Sequence, residues 1–229
     1  MNQVTNVMRM HRKDLFTWVY LPWIILLGNF IINLAVTAII SSGEVNMSTG
    51  GMFSIYIYFL ITGMLTLYQT FPFALGLNIR RKDYFWGTAA TIGIISIATS
   101  VCFVLLSAIE EATNRWGNLI AFFHVPYIID NGMIGELWFY AALLAHLYYA
   151  GFVISCIHRR FGALNLTIVL AVLFLAATVF SVLASYYGWW GDILELIQGR
   201  SAVEIISWCS LLTLVYMGIS YQLLRRATA

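Results

Sequence analysis

Six long runs of apolar residues, none of them interrupted by Asp, Glu, Lys or Arg, limit what this chain can fold into. Each is at least as long as the roughly 20 residues that a helix needs to cross the hydrocarbon core of a bilayer. Charged residues make up only 10% of the chain, against about 25% in soluble domains. We therefore predict an all-α membrane protein with six transmembrane helices, at Trp18–Ile40, Met52–Leu77, Phe85–Ile109, Leu137–Ile157, Leu164–Tyr187 and Ile205–Leu224.

The charges between these runs orient the predicted bundle. Ten of the 12 Lys and Arg residues share one side of the membrane when six spans are counted, and only Arg115 and Arg200 fall on the other side. Eight of the 10 Asp and Glu residues lie opposite the cations, the exceptions being Asp14 and Asp83. Lys and Arg are enriched in the cytoplasmic loops of membrane proteins. The sequence therefore predicts that both termini are cytoplasmic.

Residues 1–17 are predicted to form an amphipathic helix on the inner leaflet. Their apolar residues recur at helical spacing and their cations occupy other faces, the two sets being Val4, Val7, Met8 and Leu15, and Arg9, Arg12 and Lys13. A solvated basic segment that only sets the topology is the alternative. Residues 18–224 form the predicted six-span bundle and residues 225–229 a cytoplasmic tail, so residues 1–229 are expected to be a single transmembrane domain.

The common signatures of nucleotide binding and catalysis are missing from the sequence. It contains no G-x-x-x-x-G-K-[ST], no H-E-x-x-H and no G-x-S-x-G. Glu110–Arg115 (EEATNR) fits the EExxxR of intramembrane CAAX-type proteases, whose histidines have fixed neighbours. In this chain Ile120 stands where a Phe should precede His124, and Ala150 stands where an Asn or Asp should follow His146. We expect no enzymatic activity, no cofactor and no metal site in this chain, and keep the protease as a minor alternative.

Acidic residues are missing from all six predicted spans. Ion-coupled transporters usually carry charged residues at mid-membrane, so an ion-coupled carrier is disfavoured. A path through this bundle would be apolar and aromatic, which suits hydrophobic or amphipathic cargo better than ions or sugars. Its candidate lining residues are Tyr56, Tyr58, Tyr68, Gln69, His146, Tyr148 and Tyr149. For Gln69 and His146, a hydrogen bond between helices with no further role is the preferred interpretation.

The segment Asn118–Ile129 (NLIAFFHVPYII) is apolar but too short to cross a bilayer, and it contains Pro126. Counting it as a span would reverse the charge asymmetry of everything that follows. We interpret it as an interfacial or re-entrant piece of the outer loop, and the role of the wider segment, residues 110–136, stays open at the level of sequence.

A polar turn separates the second predicted span from the third. Residues 72–88 read PFALGLNIRRKDYFWGT, and the polar residues at its centre are Arg80, Arg81, Lys82, Asp83 and Tyr84. The segment resembles the junction between the second and third spans of ABC-transporter permeases of the type-2 exporter class, particularly small six-span permeases of Gram-positive bacteria. In that family the turn forms a coupling helix that docks into a cleft on a separate ATPase subunit.

The resemblance implies a function and a set of partners. The chain would be the permease subunit of an ATP-driven exporter in the bacterial cytoplasmic membrane, moving a hydrophobic or amphipathic peptide, lipid or drug. The expected partners are two copies of an ABC ATPase carrying ATP and magnesium, a second permease chain, identical or homologous, and membrane lipid, with no nucleic acid. A non-transporting membrane sensor or assembly subunit is the alternative function.

The residues that couple this chain to the ATPase are expected in two segments. A short link has no slack, so the turn after the second span would receive the movement of the ATPase at Arg80, Arg81, Lys82, Asp83 and Tyr84. A second and weaker contact is expected in the loop after the fourth span, at His158, Arg159, Arg160 and Phe161. The alternative is that the cations only anchor the topology at the inner leaflet.

Overall fold

Helices make up almost all of the chain that the computed structural model describes, which is residues 3–40, 47–48, 50–124 and 132–225. A π-helical turn, Phe16–Tyr20, joins the first two helices, and two short strands, β1 (Met47–Ser48) and β2 (Ile120–Ala121), pair in parallel. The helices are α1 (Gln3–Lys13), α2 (Leu21–Ile40), α3 (Phe53–Gly76), α4 (Arg81–Ala112), α5 (Asn114–Asn118), α6 (Gly132–Tyr187), α7 (Trp189–Gln198) and α8 (Ala202–Arg225).

Five segments of the described chain are helical, long and apolar enough to cross a membrane: Phe16–Ile40, α3, α4, α6 and α8. The prediction of an all-helical protein with several membrane-spanning helices is confirmed at this level. The predicted fourth and fifth spans both lie in α6, which is 56 residues long. Gly162, with φ 82° and ψ 172°, interrupts the helical backbone of α6. Glycine reaches this conformation without the steric cost that a Cβ atom brings.

Two glycines lie where α3 and α6 cross. A Cβ atom on Gly63 would press against the carbonyl oxygen of Tyr148 and lie 3.0 Å from the amide nitrogen of Phe152. A Cβ atom on Gly151 would press against the carbonyl oxygen of Leu60. Each helix thus presents a glycine to the backbone of the other, as small residues do where membrane helices pack closely. Since α4 and α8 also pack on α6, it is the central helix of the described bundle.

The two ends of the bundle differ in charge. At one end, which we call the basic end, the α3–α4 turn lies beside the end of α8, and Arg81 Nη1 donates a hydrogen bond to the Arg225 carbonyl oxygen at 3.4 Å. At the other end, the acidic end, α6 and α8 begin together, and Trp138 Nε1 donates to Ser207 Oγ at 3.2 Å. Gly162 lies near the basic end, since Arg159, three residues before it, contacts Phe71 near the end of α3.

Glu110 is fully buried near the acidic end of α4. Its carboxylate accepts hydrogen bonds from the backbone N–H groups of Phe122, Phe123 and His124 at 2.9 to 3.2 Å, and from the indole of Trp116 at 2.9 Å. A buried carboxylate is tolerated when several donors satisfy its oxygens. Glu110 therefore anchors the chain that follows α4. The protease alternative requires a carboxylate that is free to act on a substrate, and these hydrogen bonds leave little of the Glu110 carboxylate free.

Residues 114–118 form a left-handed turn between Glu110 and its backbone donors. All have positive φ, from 50° to 80°, a conformation that costs about 1–2 kcal/mol for each residue with a Cβ atom. The hydrogen bonds to Glu110 offset this cost. The predicted interfacial segment Asn118–Ile129 begins here and folds back onto Glu110 as far as His124. Its residues 125–129 lie outside the described residues, as do residues 226–229 of the predicted tail.

The part of α6 beyond Gly162 is exposed on every side. Between residues 163 and 187 only Ala184 is buried, and large apolar side chains such as Leu164 and Phe174 are more than 70% exposed, at 75% and 72%. The part before Gly162 differs sharply, since it contains the fully buried Tyr148. The described bundle thus holds the first half of α6 at its centre, while the second half lies largely exposed and contacts α7 near its own end.

Candidate functional site

The basic turn, residues 77–84, is short and closed by its own hydrogen bonds. Only residues 77–80 separate α3 from α4. Asn78 has φ 55° and its N–H donates to the Leu75 carbonyl oxygen at 2.9 Å, while the N–H of the buried Ile79 donates to the Ala74 carbonyl oxygen at 3.1 Å. This pair of bonds is that of a Schellman motif, with Asn in the left-handed position. The turn therefore has little freedom to bend.

The charged residues of the basic turn are held on a fixed backbone. Arg80 and Lys82 are exposed, and Arg81 and Asp83 are half-buried. The backbone N–H of Arg80 donates to the side-chain oxygen of Gln3 at 3.2 Å, which ties the turn to α1. The resemblance implies a separate coupling helix at this place. In the structure residues 81–84 are instead the first turn of α4, where Asp83 suits the positive end of the helix dipole.

Tyr84 is fully buried, so a soluble partner cannot touch its side chain in this conformation. Its hydroxyl lies 2.7 Å from Thr70 Oγ1 and 3.4 Å from the Thr66 carbonyl oxygen. Its ring packs edge-on against Phe71, with the centroids 5.1 Å apart. Burial corrects the expectation of a direct contact at Tyr84. The side chain ties α4 to α3, so that a movement of the turn passes into the bundle.

The second predicted segment is helical and not a loop. Its residues form the last helical turn before Gly162. The side chains of His158 and Phe161 are exposed, and those of Arg159 and Arg160 are half-buried. The Arg159 guanidinium lies over the Phe71 ring, 4.9 Å from its centroid. Such a contact is attractive, because the ring face carries partial negative charge. Phe71 thus touches Tyr84 on one side and Arg159 on another, so the structure brings the two predicted segments together.

α1 packs against the start of α4, a contact that the sequence prediction missed. Val7 is fully buried, and a Cβ atom on Gly87 would lie 2.5 Å from the Val7 Cβ. His11 Nε2 lies 3.0 Å from Thr88 Oγ1. The sequence offers only the Gly87-Thr88 pair, a small residue and a hydroxyl just after the basic turn, and this pair does not identify α1 as its partner. α1 therefore belongs to the same assembly of contacts as the turn.

Acidification is expected to loosen α1 from α4. Burial lowers the pKa of His11 from 6.5 to about 4, and the nearby Asp14 carboxylate opposes this shift. An undocked His11 binds more protons than the docked residue between these values, so docking weakens as the pH falls through 6.5 towards 4. The loss between pH 7 and pH 5 is about 2 kcal/mol.

Hydrogen exchange of the α1 amides, corrected for the intrinsic effect of pH, measures this loosening. Exchange should speed up between pH 7 and pH 5 in the wild type and hardly change in His11→Gln, whose side chain still reaches Thr88 but does not titrate. The same pH dependence in His11→Gln would contradict the assignment to His11.

The cavity residues predicted on α3 face different surroundings. Tyr56 borders a cavity of about 430 Å³ between α3 and α6. Tyr58 donates a hydrogen bond to the Thr17 carbonyl oxygen at 2.6 Å and so joins α3 to the π-helical turn. Tyr68 and Gln69 are exposed on the outside of α3. These residues do not line a common space.

The cavity residues predicted on α6 are engaged in packing. His146 Nδ1 lies 2.9 Å from Thr213 Oγ1 on α8, which agrees with the preferred interpretation of a hydrogen bond between helices. Tyr148 is fully buried and stacks on Phe152 with the centroids 5.8 Å apart, and Tyr149 is 4% exposed. The structure therefore does not bring the seven predicted residues into one site.

The basic end is the best candidate site that the contacts define. In comparison with known proteins, no protein family, no curated protein and no solved structure matches the chain. Within the described residues, no group of three or more His, Cys, Asp and Glu side chains is arranged to hold a metal ion. The geometry of the basic end therefore carries the functional argument.

Proposed function

We propose that this chain is the membrane-spanning permease subunit of an ATP-driven ABC exporter whose ATPase is a separate chain. The observation that carries the proposal is the build of the basic turn. It presents Arg80 and Lys82 to solvent on a backbone closed by its own hydrogen bonds. A docking element of this kind passes on a partner's movement because it cannot absorb it.

Movement of the turn would enter the bundle by two routes. The Arg80 N–H is bonded to Gln3, so α1 follows the turn. Tyr84 is bonded to Thr70 and packs on Phe71, so α3 follows as well. In this proposal ATP and magnesium bind to the ATPase, of which two copies are expected. ATP binding and hydrolysis on the ATPase move the basic ends of the two permease chains. This movement switches the cargo path between inward-facing and outward-facing states.

We place six spans in the membrane. A helix of the length of α6, 56 residues, would be about 84 Å long if it were straight, against a hydrocarbon core of about 30 Å. We therefore propose that α6 crosses twice and turns at Gly162. The basic end then faces the cytoplasm, as the positive-inside rule requires, with both termini on that side. α1 lies at the inner surface, and the membrane is the bacterial cytoplasmic membrane.

A second permease chain, identical or homologous, is proposed to cover the second half of α6. A membrane helix usually packs on its own bundle with one side and faces lipid with the other. Residues 163–187 are exposed on every side, so we propose that a partner chain covers one of these sides. Ala177, Ser181 and Ser185 recur at four-residue spacing, which permits close helix packing. Hydrophobic or amphipathic cargo, a peptide, lipid or drug, would cross where the two chains meet.

A non-transporting sensor or assembly subunit is the second candidate, and the filled core of the bundle favours it. Tyr84, Tyr140, Tyr148 and Phe103 are fully buried at the centre of the described bundle. Side chains that fill the centre in this way leave no open path for cargo through the core of the described bundle. ATP-dependent movement of lipid or a hydrophobic dye in vesicles that contain the purified complex would decide for the exporter, and its absence, with the ATPase bound and active, would decide for the sensor.

Reversing the exposed charges of the basic turn is expected to weaken the association with the ATPase. The double variant Arg80→Glu/Lys82→Glu should reduce the ATPase recovered with the tagged chain about tenfold, equivalent to about 1.4 kcal/mol, because both cations would face acidic groups on the partner. The measurement is the ATP hydrolysis that co-purifies with the chain from its native membrane.

The matched control is Lys13→Glu, which reverses an exposed cation on α1 outside the basic turn. It should leave the recovered hydrolysis unchanged. Equal recovery of the ATPase with the double variant and the wild type would contradict docking at the basic turn, as would the absence of any nucleotide-hydrolysing partner in the wild-type preparation.

A further inference from the structure

A cavity of about 630 Å³ lies between α1, the start of α2 and the flank of α4. Its apolar part is bordered by Ile94, Ala98 and Cys102 of α4 and by Trp23 of α2. Ile94, Ala98 and Cys102 are exposed, so the cavity opens along the side of α4. This cavity takes no part in the proposed coupling to the ATPase.

The cavity runs from α1 towards the middle of the bundle. His11 contacts Thr88 at one end, and at the other Trp23 packs on Phe103 with the ring centroids 5.8 Å apart. The α4 residues that line it extend from residue 91 to residue 102, a length of about 16 Å at 1.5 Å per residue. That is close to half of the roughly 30 Å hydrocarbon core, the depth of one leaflet.

The α1 end of the cavity is cationic. Arg9 and Arg12 line it and are exposed, and no Asp or Glu is among its lining residues. Within the described part of the chain, neither arginine forms an ion pair. Two free guanidinium groups beside an apolar space one leaflet deep match the charge and shape of an anionic lipid.

His11 gives a second and independent sign of a ligand. It lines the same cavity and is only 1% exposed. Its Nδ1 is buried without a hydrogen-bond partner among the described residues, while Nε2 is engaged with Thr88. A buried polar atom without a partner is costly, so an oxygen atom of a bound molecule would stabilise it.

We propose that this cavity binds one anionic phospholipid from the leaflet on the α1 side. The phosphate lies between Arg9 and Arg12, because the planar guanidinium matches phosphate oxygens with two parallel hydrogen bonds. One acyl chain lies along α4 past Ala98 to Cys102. His11 Nδ1–H donates a hydrogen bond to an ester oxygen of the glycerol backbone, with Nε2 accepting one from the Thr88 hydroxyl. The lipid joins α1 to α4, and its binding does not depend on whether the chain transports anything.

Native mass spectrometry of the purified full-length chain tests the proposal with two lipids of identical acyl chains, phosphatidylglycerol and phosphatidylcholine. The wild type should retain one phosphatidylglycerol and at least tenfold less phosphatidylcholine. Arg9→Gln/Arg12→Gln should lower the affinity for phosphatidylglycerol about thirtyfold, since each cation near an anionic lipid contributes about fivefold. Equal retention of the two lipids, or unchanged affinity in the double variant, would overturn the proposal.

Two further variants separate charge from cavity. Lys13→Gln removes an exposed cation of α1 that does not line the cavity, so it should retain the lipid. Ala98→Trp fills the apolar part without changing the charge, so it should lose the lipid. Both arginines are exposed on α1, and circular dichroism should show wild-type helix content in every variant. Lipid loss in Lys13→Gln, or full retention in Ala98→Trp, would overturn the placement.

Alkylation of Cys102 distinguishes a lipid from free phosphate. The three cysteines are free, so the Cys156→Ala/Cys209→Ala variant leaves Cys102 as the single reporter. Phosphatidylglycerol should slow its reaction with a hydrophobic maleimide at least threefold, and inorganic phosphate alone should not. No protection by the lipid would overturn the position of the acyl chain, and protection by inorganic phosphate would overturn a lipid as the occupant.

Discussion

Gly151→Ala protein is expected to be about 3 kcal/mol less stable than the wild type and to unfold roughly 6–12 °C lower. The added Cβ atom would press against the Leu60 carbonyl oxygen and lie 3.0 Å from the Met64 amide nitrogen. These are backbone atoms of α3, which cannot rotate aside as a side chain can. α3 and α6 would have to move apart, and both helices carry the contacts of Phe71 and Arg159 at the basic end.

Glycine-to-alanine changes at open positions are the control. Gly93 and Gly218 lie inside α4 and α8, and an added Cβ atom would meet nothing within 4 Å at either position. Because alanine is favoured over glycine in a helix by about 1 kcal/mol, these variants should unfold at or slightly above the wild-type temperature. Thermal unfolding of the purified proteins in one detergent makes the comparison. A Gly151→Ala protein as stable as Gly93→Ala would contradict the close helix crossing.

Glu110→Ala protein is expected to lose at least about 3 kcal/mol of stability and to release residues 116–124 from the end of α4. The change leaves the three backbone N–H groups and the Trp116 indole without their acceptor. It also removes what offsets the strain of the left-handed turn at residues 114–118. Hydrogen exchange at residues 116–124 and the unfolding temperature report the two effects separately.

The neighbouring residue supplies the matched control. Glu111 is exposed, so Glu111→Ala should stay within about 0.5 kcal/mol of the wild type and leave exchange at residues 116–124 unchanged. Glu110→Gln keeps an acceptor oxygen and should fall between the two. If Glu110→Ala behaved like Glu111→Ala, the carboxylate would not be the anchor of this segment.

Hydropathy predicted the helical membrane-spanning class because a span needs only length and apolar character, and both are local properties. The position of the polar turn between α3 and α4 was predicted for the same reason. The two predicted spans Leu137–Ile157 and Leu164–Tyr187 became one helix interrupted at Gly162, and the residues between them include the good helix formers Arg159, Arg160 and Ala163. The sequence could not tell that the second half of α6 is largely exposed in the described part of the chain.

Side-chain positions at the candidate site were harder to predict, although part of the signal was present. Tyr84 follows three cations and was expected to be accessible with them. It also begins a helical series with Thr88, Thr91 and Ile92, all of them buried, and that periodicity would have placed it inside. Tyr56 and Tyr58 are 200° apart on a helix at 100° per residue, so they could not have faced one cavity.

Contacts between distant segments had no local signal. Val7 packs on Gly87 and Arg159 on Phe71, and both pairs are far apart in the sequence. A helix can pack closely against any of the many small residues of the chain, and a guanidinium can form a cation–π contact with any of its aromatic rings. Only the folded arrangement selects Gly87 and Phe71.

Photo-crosslinking from position 82 tests the central claim most directly. A photoreactive amino acid replaces Lys82, which is exposed on the basic turn, and a second protein carries it in place of Tyr68, exposed on the side of α3 at 76%. In cells, position 82 should crosslink to a protein whose sequence contains a nucleotide-binding G-x-x-x-x-G-K-[ST] motif, and position 68 should not. If neither position captures such a protein, or both capture it equally, the basic turn is not the ATPase docking site and the proposed function is contradicted.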